Sequence, residues 1–244
     1  MFGWLKRRRR KKLLAKPFPE ELRRHLEPLH FDGQLGQDER AKLHDITTVL
    51  LAEKHWEGCG GLELTSEIQV VIASQAALLI LEIEHDYYRR LNEILVYPAA
   101  YKSHEGGGRF GEAWYCGPIV LIWQQARDGA AIAGDGQNVV FHEFAHKLDM
   151  LDGMVDGTPP LASREDYPRW TRVMTEAFEE LKKLARKRRR SVLDHYGATN
   201  EAEFFAVATE TFFEKPLPLS RKLPELYELL RDYYRQDPLA RSRG

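Results

Sequence analysis

The feature that most constrains this chain is a His-Glu-x-x-His pattern at His142, Glu143 and His146. If this segment is helical, the two histidines lie one turn apart on the same face, because side chains four residues apart on an α-helix are neighbours. Two neutral imidazoles so placed can bind one tetrahedral Zn²⁺, and a catalytic site adds a third protein ligand and an open position. Glu143 would then lie beside the metal as a general base. The pattern predicts metal-dependent hydrolysis, provided that a third ligand exists.

The residues around this pattern predict that it is helical. Phe141, Ala145 and Leu148 recur at the spacing of a buried helix face. Asn138 can cap the start of the helix, and Gly153 can stop it. The segment therefore has its own start signal, buried face and stop signal, and we expect a helix between these two residues.

Composition bounds the class of protein. The chain has 244 residues, 43% of them hydrophobic and 11% aromatic, which is enough for a packed core. Its two cysteines, Cys59 and Cys116, cannot form a disulfide framework or a cysteine zinc site, and they favour a reducing compartment. No uninterrupted apolar run reaches the length of a transmembrane helix, and no secretory signal is evident. We therefore expect a soluble, cytoplasmic protein.

Charge is unevenly distributed. The chain has 36 Lys and Arg against 37 Asp and Glu, but eight of the basic residues precede Pro17 and no acidic residue does. This predicts a basic, flexible tail over residues 1–16 and a single domain over residues 17–244. A basic tail can contact anionic lipid or nucleic acid. Because nothing nearby resembles a nucleic-acid-binding fold, we expect no direct nucleic-acid binding and at most a weak contact with a membrane surface.

Hydrophobic periodicity predicts a mostly helical α+β domain. The predicted helices are Pro19 to Leu29, Asp38 to Trp56, Thr65 through Leu79, and Trp170 to about Arg189. The predicted strands are Glu93 to Tyr97 and two pieces on either side of Gly117-Pro118, between Ala113 and Trp123. Proline favours an edge strand. We expect these strands to form a small mixed sheet bordering the cleft of the metal site.

Spacing alone leaves the third metal ligand open. Asp149 and Asp152 occupy the positions where the compact zinc pattern requires glycine and histidine, so that version fails. The remaining version needs a carboxylate from a separate helix, and a segment that Asn200 can cap supplies several. Three of these acids share one helix face: Glu203, Glu210 and Glu214. Glu201 is a further candidate, and the periodicity does not choose among the four.

Two motifs in this order resemble the Mlc titration factor A family of bacterial zinc peptidases. They are His-Glu-Phe-Ala-His-Lys-Leu-Asp at residues 142–149 and Tyr-Gly-Ala-Thr-Asn-Glu-Ala-Glu-Phe-Phe-Ala at residues 196–206. The same motifs are similar to those in the catalytic domain of anthrax lethal factor. The resemblance implies a zincin-like (gluzincin) metallopeptidase domain that binds one Zn²⁺. It assigns the ligands to His142, His146 and Glu203, the catalytic base to Glu143, and the catalytic tyrosine to Tyr196.

The resemblance also implies a function: aminopeptidase-like hydrolysis of peptide substrates and binding of the glucose-regulated transcription repressor Mlc. The alternative is a non-catalytic protein that sequesters a repressor and carries a vestigial metal site. Retention of both Glu143 and Tyr196 favours an enzyme, because a pure binding protein would need neither. Asp149, one turn beyond His146, is a candidate to hold a ligand imidazole in its tautomer.

Overall fold

The structure, a computed structural model, describes residues 2–83, 86–98 and 117–241. The chain groups into two compact units: Met1–Leu81 with His85–Ala131, and Glu82–Glu84 with Ile132–Gly244. The predicted strand piece at residues 113–116 lies outside the described residues. The prediction of a single domain over residues 17–244 stays a prediction.

The first unit contains five helices and three strands among its described residues. The helices are α1 (Phe2–Leu14), α2 (Glu20–Arg23), α3 (Gln37–Glu53), α4 (Ser66–Leu79) and α5 (Trp123–Ala131), and the strands are β1 (His55–Gly58), β2 (Glu93–Tyr97) and β3 (Ile119–Ile122). A short 3-10 turn spans Asp32–Gln34. Helix α4 is buried over nearly its whole length, which the sequence predicts from its unbroken apolar side.

The three described strands form a parallel sheet in the order β1-β2-β3. His55 pairs with Glu93, and Ile94 pairs with Ile119. The prediction of a mixed sheet is wrong for these strands, because α4 forms the long crossover that parallel pairing of β1 and β2 requires. Strand β3 is terminal in this order, as the preceding Pro118 predicts. The predicted position of the sheet at the metal cleft stays a prediction.

Several boundaries differ from the sequence prediction. The helix predicted from Pro19 to Leu29 spans only Glu20–Arg23, and the helix predicted from Trp170 to about Arg189 spans Tyr167–Arg186. The helix predicted to reach Trp56 ends at Glu53, because the backbone N–H of His55 bonds Asn92 O at 2.8 Å and starts β1. Lys54 is buried at this junction, and its Nζ donates to Tyr88 O at 2.8 Å and to Leu91 O at 2.9 Å. The strand predicted to reach Trp123 ends one residue earlier, where α5 begins.

Helix α1 occupies most of the segment predicted to be a flexible tail. Its Arg10 makes a bidentate pair with Glu53, at 2.8 and 2.7 Å, and bonds Asp86 Oδ1 at 2.7 Å. Burial opposes the charge of Arg10, but these carboxylates outweigh it and raise the guanidinium pKa. One arginine of the basic run thus fixes α1 to α3. None of the described helices has both the length and the apolar character needed to cross a membrane.

The second unit is helical in the part that the structure describes. It contains α6 (Val139–Asp149), α7 (Tyr167–Arg186), α8 (Glu201–Glu214), α9 (Pro216–Lys222), α10 (Pro224–Tyr234) and α11 (Pro238–Arg241), with 3-10 turns at Arg164–Asp166 and His195–Ala198. Helix α8 is the centre of its aromatic core: Phe205 packs edge-on against Trp170 with ring centroids 5.8 Å apart, and Phe212 stacks on Tyr234 at 5.8 Å. A central, tightly packed α8 gives a rigid base for the side chains at its edge.

Candidate metal centre

Helix α6 forms as the sequence predicts. The side chain of Asn138 accepts a hydrogen bond from Phe141 N at 3.0 Å and caps the helix. Phe141, Ala145 and Leu148 are fully buried and fix one face of α6 in the core. His142 and His146 are consequently left half-buried on the other side, one turn apart.

Helix α8 also begins at its predicted cap, where Asn200 Oδ1 accepts from Glu203 N at 2.9 Å. The acids on one face of α8 all reach the segment around α6, and their sets of partners overlap but differ. Glu203 contacts both histidines, Glu210 contacts His142 and Asn138, and Glu214 contacts Asn138 and Gly134. Of the acids that spacing left open, Glu203 is therefore the one that meets His142 and His146 together.

The three side chains converge on one point. His142 Nε2 lies 2.9 Å from Glu203 Oε2 and 3.2 Å from His146 Nε2, and His146 Nε2 lies 3.4 Å from Glu203 Oε2. Ligand atoms bound tetrahedrally to zinc at about 2.0–2.1 Å stand roughly 3.3–3.4 Å from one another. The donor set and its spacing therefore fit a zinc ion with only small side-chain movements.

Glu210 determines which ring nitrogen of His142 faces this cluster. Its Oε1 lies 2.7 Å from His142 Nδ1, and its Oε2 accepts from Asn138 N at 2.6 Å. A carboxylate only accepts, so Nδ1 carries the proton and Nε2 can present a lone pair to a metal. Glu210 thus joins the ring of His142 to Asn138, the N-cap residue of the helix that carries the ring. Sequence reasoning assigned Glu210 no role beyond that of a candidate ligand.

Protonation in the absence of metal follows from the same contacts. Burial lowers the pKa of His142, but hydrogen bonds with Glu203 and Glu210 outweigh burial and raise the pKa to about 10. Burial raises the pKa of Glu203, but the hydrogen bonds from His142 and His146 outweigh burial and lower this pKa to about 2. The two carboxylates therefore favour the protonated form of His142, and a metal ion that binds Nε2 competes with a proton there.

Glu143 lies on α6 next to His142, and it is half-buried. Burial raises the pKa of its carboxyl group, while electrostatic interactions with His146 and His142 lower it in part. The described residues supply no hydrogen bond to this carboxylate, so it is not committed to a structural contact. Its position beside the cluster is the one that the sequence motif predicts.

Tyr196 lies on the 3-10 turn, with its ring centroid 5.9 Å from that of His142. Tyr196 is 55% exposed, and its backbone N–H donates to Asp194 Oδ1 at 2.7 Å. Burial and the negative charge of Glu203 raise the pKa of the phenol. The next residue, Gly197, allows the turn to approach α8, since a Cβ there would lie 3.1 Å from Val207 Cβ. The turn therefore brings a protonated phenol to the edge of the cluster.

Asp149 does not orient a histidine by a direct hydrogen bond. Its Oδ2 accepts from Gly157 N at 3.0 Å. Both Asp149 Oδ1 and His146 Nδ1 are buried without a hydrogen-bond partner among the described residues. Burial raises the pKa of Asp149 to about 6. The contact that we observe is a structural one, between the end of α6 and the loop that follows it.

A second group of potential ligands lies on the sheet of the first unit. His55, Glu57 and Glu93 bring donor atoms within 4.8 Å of one another. His55 Nε2 and Glu93 Oε1 are 3.7 Å apart, and these side chains are 67% and 38% exposed. Exposed carboxylates often lie near a histidine without a metal, and we do not treat this group as a metal centre.

Helix α6, with its His-Glu-x-x-His pattern, and a carboxylate from a second helix define the class of metallopeptidase-like proteins. The chain matches the family model described as glucose-regulated metallo-peptidase M90 over residues 4–235, and it belongs to this family. The resemblance predicted from the two motifs is confirmed by this match and by the relatives of the chain.

Similar proteins span most of the chain. The uncharacterised protein slr2042 of Synechocystis sp. is 40% identical over 245 residues, covering 95% of this chain and 89% of the relative. Mlc titration factor A of Serratia proteamaculans is 35% identical over 222 residues, covering 85% and 84%. Mlc titration factor A of Yersinia pestis is 33% identical over 243 residues, covering 93% and 89%.

Proposed function

We propose that this protein is a zinc-dependent, aminopeptidase-like peptidase with a gluzincin-type site. The observation that carries the proposal is the meeting of His142 Nε2, His146 Nε2 and Glu203 Oε2 within 3.4 Å of one another. Membership of a metallopeptidase family supports the same conclusion. Zinc suits two imidazoles and one carboxylate better than magnesium or calcium, which prefer oxygen ligands.

In this proposal one zinc ion is held by His142, His146 and Glu203, and when bound it supplies Lewis acidity and favours ionisation of water. Glu210 keeps the His142 ring in the tautomer that binds metal. Because Glu210 also accepts a hydrogen bond from Asn138 N, it ties the His142 ring to the start of α6. The ring therefore keeps its orientation whenever the helix is formed.

Proton transfer is assigned to Glu143. Its carboxylate accepts a proton from the attacking water and returns it to the leaving amine of the peptide. Partial burial raises the pKa of this carboxyl group, which makes it a stronger base than a solvated glutamate. Tyr196 donates a hydrogen bond from its hydroxyl group to the oxyanion that develops on the scissile carbonyl. Its raised pKa keeps the hydroxyl proton in place at neutral pH.

We further propose a regulatory role through binding of a transcription repressor. Two relatives carry the name Mlc titration factor A, and the family is described as glucose-regulated. The alternative, a binding protein whose metal site is vestigial, rests on the same names. The intact and well-supported cluster of His142, His146 and Glu203 favours the enzyme, because a binding surface alone would not keep it.

The test is peptide cleavage by the purified protein, with and without chelator, on an aminopeptidase substrate series and a peptide library. Glu143→Gln keeps the shape of the side chain but removes the base, so cleavage should nearly vanish while metal content stays constant. Glu201→Gln is the matched control, since Glu201 is an exposed acid at the start of α8 and should leave the rate unchanged. Cleavage at the wild-type rate by Glu143→Gln would contradict the mechanism.

Repressor capture should be measured on the same variants. If both activities belong to the protein, Glu143→Gln captures an Mlc-type repressor normally while cleaving nothing. Capture without any cleavage by the zinc-loaded wild-type protein would instead favour the binding protein. Cleavage without capture would restrict the proposal to the peptidase.

A further inference from the structure

Helix α1 presents a stripe of cationic and apolar side chains to solvent. Trp4, Arg8 and Lys12 recur every four residues, and Leu5 and Arg9 lie beside them, so all five share one side of the helix. All five are exposed, with 60% of Trp4 and 54% of Leu5 accessible. We call these five residues the α1 outer stripe. Two exposed large apolar side chains among cations are not explained by the packing of the first unit.

The opposite side of α1 determines which way this stripe faces. Arg10 bonds Glu53 and Asp86, and its guanidinium lies 4.1 Å from the centroid of the Tyr87 ring. Lys6 adds a looser contact with Glu53, at 3.7 Å. These contacts hold α1 by one side, so its outer stripe is turned away from the unit as a preformed surface.

The cations of the outer stripe keep their charge available. Among the described residues, no carboxylate lies within 4.0 Å of Arg8, Arg9 or Lys12. The acids nearest to α1, Glu53 and Asp86, are already bound to Arg10. Arg8 has its guanidinium 5.5 Å from the centroid of the Trp4 ring, so the cation and the apolar side chain form one patch.

A groove of about 620 Å³ continues this surface. Leu5 and Arg9 of the outer stripe line it together with Lys6 and Arg89. Glu53 is the carboxylate that lines the groove, and it is bonded to Arg10, so cations outnumber acids in this lining. A groove with this charge and size suits a phosphate-bearing headgroup.

We propose that the α1 outer stripe docks on a membrane surface that contains anionic phospholipids, with headgroup phosphates on its cations and in the adjoining groove. A helix lying in the interface buries aromatic and leucine side chains at the boundary of headgroups and acyl chains while its cations attract anionic lipid. Trp4 and Leu5 lie near the start of α1, on the same side as Arg8, Arg9 and Lys12, so one contact with a membrane surface can engage both kinds of side chain. A nucleic acid would use the cations but would leave Leu5 without a role, so the pattern favours lipid.

The proposal is tested by flotation of the full-length protein with vesicles of phosphatidylcholine alone or mixed equally with phosphatidylglycerol. Binding should require the anionic lipid and should fall as salt is raised. Replacing Arg8, Arg9 and Lys12 together with Ala should weaken binding roughly a hundredfold, at about fivefold for each cation near the surface. Ala favours helix formation, so α1 should persist, and the circular dichroism spectrum checks this.

The matched control replaces Lys187, Arg189 and Arg190 with Ala, which removes the same charge from the exposed segment that follows α7. This variant should bind anionic vesicles like the wild type. Equal weakening of both variants would show that net charge alone drives binding and would overturn the proposal. Equal binding of the wild type to neutral vesicles would overturn it as well.

Insertion of the apolar part is tested separately, with vesicles whose acyl chains carry bromine. Tryptophan fluorescence of the wild-type protein should be quenched, and Trp4→Phe should lose that quenching while binding persists. Identical quenching of both proteins would contradict insertion of Trp4. Duplex DNA and single-stranded RNA form the last arm of the test. Retention on either nucleic acid without retention on anionic vesicles would assign the surface to nucleic acid and overturn the lipid proposal.

Discussion

Two groups of side chains in this protein offer the same kinds of metal ligand, and they differ in what holds them. In the second unit, His142, His146 and Glu203 come from two capped helices and meet within 3.4 Å. In the first unit, His55 and Glu93 are strand neighbours that are 3.7 Å apart, and both side chains are exposed. The ligand types are alike, so the surrounding contacts must decide which group binds metal.

The two groups differ in how firmly their side chains are held before a metal binds. The ring of His142 is already held through Nδ1 by Glu210, and Glu210 is itself bonded to the start of α6. His55 and Glu57 are exposed and would lose rotamer freedom on binding an ion. Ligand chemistry alone is therefore a weak guide, and support by neighbouring carboxylates and helix caps is the better one.

The largest expected effect comes from removing Glu203, the carboxylate that contacts both His142 and His146. Glu203→Ala should strip zinc from the protein, because two histidines on one helix leave the ion without its third ligand. Glu93→Ala removes a comparable carboxylate from the exposed group and should leave zinc content unchanged. Metal analysis of both variants after dialysis makes the comparison. Full zinc occupancy in Glu203→Ala would mean that another carboxylate, Glu201 or Glu210, is the ligand.

A smaller loss is expected when the proposed oxyanion donor is removed. Tyr196→Phe deletes one hydroxyl group beside the cluster and should lower kcat by roughly 10²–10³ with little change in zinc content. Tyr167→Phe deletes the hydroxyl of a tyrosine on α7 and serves as the control. Steady-state kinetics on one peptide substrate separate kcat from KM. A tyrosine that acts only by packing would leave kcat unchanged in Tyr196→Phe.

If Glu210 orients His142, its removal should weaken metal binding less than the removal of the ligand Glu203 does. Glu210→Gln should weaken zinc binding about 10- to 100-fold, because the His142 tautomer is no longer fixed by a carboxylate. Glu214→Gln alters the same acidic row, at a residue whose described hydrogen bonds are with Asn138 and Gly134 and not with the His142 ring that Glu210 holds. It should keep the wild-type affinity. Titration against a competing chelator measures both, and equal affinities would refute the orienting role of Glu210.

The smallest effect is a pH dependence. His142 has a pKa of about 10 in the metal-free protein, so it is protonated at pH 7–8 and must release about one proton when zinc binds. Zinc affinity should therefore rise about tenfold per pH unit across this range, since metal and proton compete for Nε2. Calorimetry in buffers of different ionisation enthalpy counts the released proton. An uptake of protons, or no exchange at all, would contradict this protonation state.

Local sequence signals predicted several of the elements that carry the two groups of ligands. The Asn138 cap, the buried face of α6 and the strand at Glu93–Tyr97 all follow from patterns within a few residues. The choice of Glu203 over Glu210 needed the second motif, because helical spacing puts both on one face. The role of Glu210 could not be predicted, since it depends on how α8 lies against α6. Strand β1 was missed for a similar reason: His55 leaves the helix to pair with a strand some 40 residues later.

The central claim is that support, and not ligand type, selects the metal site. Anomalous diffraction at the zinc absorption edge, from crystals of the full chain grown with zinc, tests it most directly. One strong peak should lie roughly 2.0–2.1 Å from His142 Nε2, His146 Nε2 and a carboxylate oxygen of Glu203, and none should lie at His55 and Glu93. A peak at the His55 group and none between α6 and α8 would contradict it.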